Sequence, residues 1–75
     1  MFRIMIPARM KSKSVVLDCF ERKGEFLICF GSHDGIFKLS PQDTELIAKV
    51  RAARDSRQEI AFTYDRELRI LTIES

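Results

Sequence analysis

Ser32-His33-Asp34 carries the three residue types of a hydrolytic triad, a nucleophile, a base and an orienting acid. Triad members have to converge in space, and three consecutive residues in a turn project in diverging directions. Gly31 and Gly35 bracket the trio, so its spacing reads as a glycine-bounded turn. His33 is the only histidine and Cys19 and Cys29 the only cysteines, about ten positions apart with no second ligand beside any of them, so no zinc spacing can be written. Both cysteines sit inside apolar runs and are expected to be reduced core thiols. The carboxylates are scattered among basic neighbours, and the three glycines fit neither phosphate-loop nor dinucleotide patterns. The expectation is a protein that is not an enzyme, with no catalytic residue, no cofactor and no metal.

Charge position adds a second kind of chemistry. Residues 1–40 hold seven basic and four acidic side chains, and residues 41–75 hold six and seven. Arg3, Arg9, Lys11 and Lys13 precede the first acid, Asp18, and form the segment best suited to phosphates. With Arg22, Lys23, Lys38 and Arg66 they make up the candidate nucleic-acid contact, whose affinity would be salt-sensitive and largely nonspecific.

These residues need elements to hold them. Phe2, Ile4 and Ile6 alternate with Met1, Arg3 and Met5 in a short strand that ends at Pro7, and residues 8–14 read as loop. Residues 15–20 and 26–30 favour strand and are joined by a turn through Gly24, which takes a positive φ at little cost. A further strand covers residues 36–39. Ser40 then suits a helix cap, Pro41 the first helical position and Asp43 the first turn, which predicts a helix from about Pro41 to Arg54. Its apolar stripe is Leu46, Ile47, Val50 and Ala53. Residues 59–64 and 68–73 close the chain as a hairpin around Asp65-Arg66-Glu67.

Seventy-five residues make one domain, 1–75, that buries only about 60% of its unfolded surface, too little for both a core and a deep catalytic pocket. The apolar run before Pro7 is too short for a secretory signal, and no stretch reaches the roughly 18 apolar residues of a membrane helix. A cytoplasmic protein with no membrane partner is the expectation. The predicted class is mainly β with one helix, α+β, in the order β-β-β-β-α-β-β, packed as a small half-open antiparallel barrel with the helix plugging one end.

From Lys13 onward this pattern resembles the OB-fold. Leu46-Ile47-Ala48-Lys49-Val50-Arg51-Ala52-Ala53, Glu59-Ile60-Ala61-Phe62-Thr63-Tyr64-Asp65 and Arg69-Ile70-Leu71-Thr72-Ile73 are similar to the end of the OB-fold B-subunits of bacterial AB5 toxins. Those subunits are secreted and usually carry a disulfide. A helix running into Ile60-x-Phe62-x-Tyr64 also resembles the opening of WYL regulatory domains, where several strands follow rather than two.

The resemblance implies a ligand face near Arg22, Lys23, Phe26, Phe30, Phe37, Lys38 and Arg66. Strand alternation turns Phe26, Ile28, Phe30, Phe37 and Leu39 inward, so most of these rings belong to the core. It leaves Leu27, Cys29, Ile36, Leu71 and Ile73 outward, an apolar surface of the kind that marks a protein interface. The reading favoured by the sequence is therefore a small noncatalytic binding or regulatory domain, its partner a second copy or another protein. The alternative is a single-stranded nucleic-acid binder.

Overall fold

A computed structural model describes residues 9–74; the predicted strand over 2–6 lies outside them. The elements are β1 (Met10–Arg22), β2 (Glu25–Phe30), β3 (Ile36–Leu39), α1 (Thr44–Ser56), β4 (Glu59–Tyr64) and β5 (Ile70–Glu74). They form one antiparallel sheet in the order β3-β2-β1-β4-β5. Its two outer strands meet at a parallel bridge between Lys38 and Arg69, where the Lys38 N–H donates to the Leu68 carbonyl at 2.9 Å. The result is a half-open barrel, mainly β with one helix, as the sequence predicts.

The 13-residue β1 works on both sides. Met10–Val15 pair with β4, in register from Met10↔Tyr64 to Val15↔Glu59, and Val16–Arg22 pair with β2. The predicted loop over 8–14 is corrected at residues 10–14, which belong to β1, because Lys11-Ser12-Lys13-Ser14 continues the two-residue alternation of the strand with serines on the inner side. Ser14 is buried, and its Oγ donates to the Val15 carbonyl and accepts from the Ser32 N–H. Hydrogen bonding makes a polar residue acceptable there.

Each half of the sheet contains one irregularity. In β1 the register passes from Val16↔Phe30 to Asp18↔Cys29, leaving Leu17 as the extra residue. In the last hairpin it passes from Thr63↔Thr72 to Tyr64↔Ile70, leaving Leu71 extra. Such a bulge sends two residues three apart to the same face. Val16 and Cys19 are accordingly both buried, as are Ile70 and Ile73.

The core is rich in aromatic rings. Phe26, Ile28, Phe30, Phe37, Leu39 and Phe62 are almost wholly enclosed. Phe30 and Phe62 stack at 4.1 Å between centroids, and Phe37 meets Phe30 edge-on at 5.1 Å. Ile47, Val50 and Ala53 of α1 pack onto this core with Leu46 half-buried, so the predicted stripe is the packed one. Outside it, the Arg51 guanidinium lies over the Phe26 ring at 5.4 Å, and the Lys49 ammonium donates to the Ile73 carbonyl at 3.3 Å.

The predicted start of the helix is also corrected. Ser40 opens a turn, with its carbonyl accepting from the Asp43 N–H and its Oγ from the Gln42 N–H, so the helix begins at Thr44 with Asp43 in the cap position. A turn at Ser40-Pro41 uses the same residue types as a helix start, which is why the sequence signal is three residues early. Val50→Asp should cost several kcal/mol by burying an unpaired charge. Ser40→Ala, which removes one exposed turn contact, should stay within about 0.5 kcal/mol in a thermal melt.

Three turns use left-handed backbone. The β1–β2 hairpin closes on Lys23 and Gly24, both at positive φ, the geometry that matches the twist of adjoining strands. Arg57 terminates α1 at φ 57°, and Leu68 lies at φ 63° in the turn between β4 and β5. Gly24→Ala should lower stability by about 1 kcal/mol, because an L side chain is strained there even with open space around it. Arg57→Gly should raise it by a similar amount, both read from denaturant midpoints.

Candidate functional site

The structure disperses the Ser32-His33-Asp34 trio. The Ser32 hydroxyl donates to the Lys13 carbonyl at 3.4 Å, Asp34 is exposed, and His33 turns to a different serine. Its Nε2 lies 2.7 Å from the Ser12 Oγ, a residue 21 positions earlier. The two meet because the β2–β3 loop folds back over β1: the Gly31 N–H donates to the Val15 carbonyl and the Ser32 N–H to the Ser14 Oγ. The loop thereby covers the half of β1 that β2 no longer reaches.

His33 is half-buried at the mouth of the barrel, against the rings that fill it. Its imidazole stands edge-on to Phe37 at 5.0 Å, Tyr64 at 5.8 Å, Phe62 at 6.0 Å and Phe30 at 6.4 Å. Four rings fix its orientation by packing. Among the described residues no side chain bonds its Nδ1. A recess of about 60 Å³ lies on the other face of the sheet, where Lys11, Ala61, Thr63 and Glu74 line it.

Sequence reasoning passed over Ser12 because it assigned residues 8–14 to a loop. The alternation Lys11-Ser12-Lys13-Ser14-Val15-Val16 was the available signal, placing Ser12 on the same side as the buried Ser14 and Val16.

A second, larger cleft of about 540 Å³ lies at the bulge, between Val15, Val16 and Leu17 of β1 and Arg54, Asp55 and Arg57 at the end of α1. Leu17, the bulged residue, is 65% exposed. Arg54 bonds Asp55 at 3.3 Å and approaches Asp18 at 4.0 Å, exposed pairs worth well under 1 kcal/mol each.

The outward apolar group is corrected in part. Ile36 is 51% exposed, but Leu27, Cys29 and Leu71 are half-buried and Ile73 is buried at 5%, because the bulge at Leu71 reverses the alternation beyond it. The basic candidates do not form one patch. Arg3 lies outside the described residues; Arg9, Lys11 and Lys13 sit toward one end of β1, while Arg22 and Lys23 sit at the other, about 30 Å away at strand rise. Lys38 is half-buried beside Arg69, and Arg66 is exposed in the last turn.

The cysteines face apart, Cys19 inward opposite Ile28 and Cys29 opposite Asp18, and both are free thiols. Burial pushes the Cys19 thiol above its ordinary pKa, partly offset by the nearby Arg54 charge. No group of three or more potential metal ligands occurs among the described residues, and no helix among them is long and apolar enough to cross a membrane.

No family model and no curated protein matches this chain. Two solved structures similar to it are forms of a protein-glutaminase. They are pro-protein-glutaminase, with a TM-score of 0.80 at 16% identity over 92% of this chain, and its A47Q2 mutant, at 0.76 and 18% over 84%. The chain spans about a quarter of the length of those proteins, 26% and 24%. This corrects the functional expectation from sequence. The expected small noncatalytic binding or regulatory domain acting through protein contacts, with a single-stranded nucleic-acid binder as the alternative, gives way to a fold whose structural neighbours are forms of a protein-glutaminase, and among the described residues neither the apolar nor the basic candidates form one patch.

A raised Cys19 pKa favours the protonated thiol in the folded state. Its contribution to stability is therefore fully present below the unfolded thiol pKa and is lost as pH rises through the folded value. Urea midpoints should fall between pH 8 and 10 in the native chain, and fall less in Cys19→Ala.

Proposed function

We propose that this barrel belongs beside the catalytic part of an amide hydrolase of the protein-glutaminase kind, and is not itself the part that hydrolyses the amide. One observation carries the reading: a TM-score of 0.80 over 92% of this chain, within a quarter of a pro-protein-glutaminase chain. The chemistry of the described residues supports the division of labour. Hydrolysing a glutamine side chain needs a nucleophile, a base, an orienting group and a cleft that holds the carboxamide. Among the described residues His33 has a hydroxyl partner but no carboxylate, and Cys19 is buried in the core.

The architecture is proposed to belong with the OB-folds, of which the AB5 B-subunits are the resemblance in sequence. The pairing of β1 with both β2 and β4 and the parallel closure at Lys38 and Arg69 support this.

The test is ammonia release from a glutamine-rich protein such as casein. Tagged protein recovered from its native cells should release ammonia, and the purified 75-residue chain should not. No release above a mock recovery would overturn the link to a glutaminase, and release by the purified chain would overturn the assignment of catalysis to another part.

A further inference from the structure

In a hairpin turn the left-handed position is normally glycine's, and in the β4–β5 turn a leucine holds it. The Leu68 N–H donates to the Asp65 carbonyl and the Asp65 N–H to the Arg69 carbonyl, the pattern of a type I turn closed by a residue at positive φ, here 63°. An L side chain is strained there. Packing offsets the strain, because the Leu68 side chain is half-buried against the core and lies over Gly35, where a Cβ would come within 2.6 Å of Leu68 Cδ1. A leucine stands in a glycine's place, and the residue facing it is a glycine. The two lie on opposite sides of the seam between β3 and β5, which is held by one backbone bond, from the Lys38 N–H to the Leu68 carbonyl at 2.9 Å, and by the exposed Arg69–Glu25 ion pair at 3.7 Å. An exposed pair of that length contributes little.

We propose that Leu68 is the plug of a two-state gate in the barrel wall, and that the β4–β5 turn opens there while the rest of the sheet stays folded. When the side chain leaves its socket over Gly35, nothing offsets the left-handed backbone, and Leu68 relaxes to negative φ. Its carbonyl then turns away from the Lys38 N–H. Plug and seam bond are thus lost together, which makes the change a switch between two arrangements rather than a gradual loosening. Asp65 sets the limits of the moving segment: its carboxylate accepts from the Glu67 N–H at 2.9 Å and from the Arg69 N–H at 3.0 Å, tying the turn to the end of β4. The inner strands β2, β1 and β4 keep their ladders throughout. The open state presents the Lys38 edge of β3 and the apolar residues behind the plug to solvent, and the gate requires no link to a glutaminase.

Amide hydrogen exchange of the full native chain tests the gate by comparing the Lys38 N–H with those of Ile28 and Phe62, which lie on inner strands. As urea is raised below the unfolding transition, Lys38 exchange should stay nearly constant because it follows a local opening, whereas exchange at Ile28 and Phe62 should accelerate with global unfolding. Lys38 exchange that shares their urea dependence would overturn the proposal with no variant needed. Gly35→Ala, which fills the socket, should speed Lys38 exchange by about tenfold. In a Leu68→Gly chain the collision is gone, and the same substitution at Gly35 should change that rate by less than about twofold. Equal acceleration in both backgrounds would mean that Gly35 serves β3 alone and that Leu68 is no plug.

Discussion

A sheet of five short strands can close on itself only if at least one strand is shared between its two halves, and in this protein that strand is β1. Its first six residues pair with β4 and its remainder with β2, and the change of partner falls at Val15 and Val16, next to the extra residue Leu17. A bulge bends the strand and increases its twist. That bend turns β2 and β3 toward β5, so that Lys38 meets Arg69 in the single parallel bridge. Without it, the buried faces of Phe30 and Phe62 would lie on one flat sheet instead of stacking at 4.1 Å across the interior. The helix then has a defined end of the barrel to cover, with Val50 at its centre.

The same shared strand produces the site. Where β1 leaves β2 for β4, its inner edge is open on one side, and the five-residue loop Gly31–Gly35 fills the gap. Backbone and serine hydrogen bonds fix that loop, and His33 lies at its centre. The pairing of Ser12 with His33 is therefore a consequence of strand sharing rather than of any local motif, since 21 residues and a change of partner separate them.

This explains what could be read from the sequence and what could not. Strands with one apolar face announce themselves: Phe26, Ile28 and Phe30 alternate with half-exposed neighbours, and Phe37 and Leu39 do the same, so their inward direction follows from period alone. The helical stripe of Ile47, Val50 and Ala53 is equally legible. Lys11 to Ser14 has the period of a strand but not its composition, and serines were counted as loop residues although hydrogen bonds let Ser14 lie buried. Bulges leave almost no trace, because nothing in Leu17 or Leu71 distinguishes an extra residue from a paired one. One such residue reverses every side chain after it, which is why Ile73 faces the core.

The interior also decides where chemistry is possible. Phe26, Phe30, Phe37 and Phe62 leave almost no exposed surface, and Tyr64 and His33 extend the ring cluster to the mouth, so this barrel encloses side chains rather than a ligand. In a domain of this size burial has to supply stability before anything else, and a cavity large enough for substrate would remove a large part of the core. Reactive groups are thereby confined to the rim, where loop residues meet the ends of strands. The same fold occupies about a quarter of the longer pro-protein-glutaminase chain.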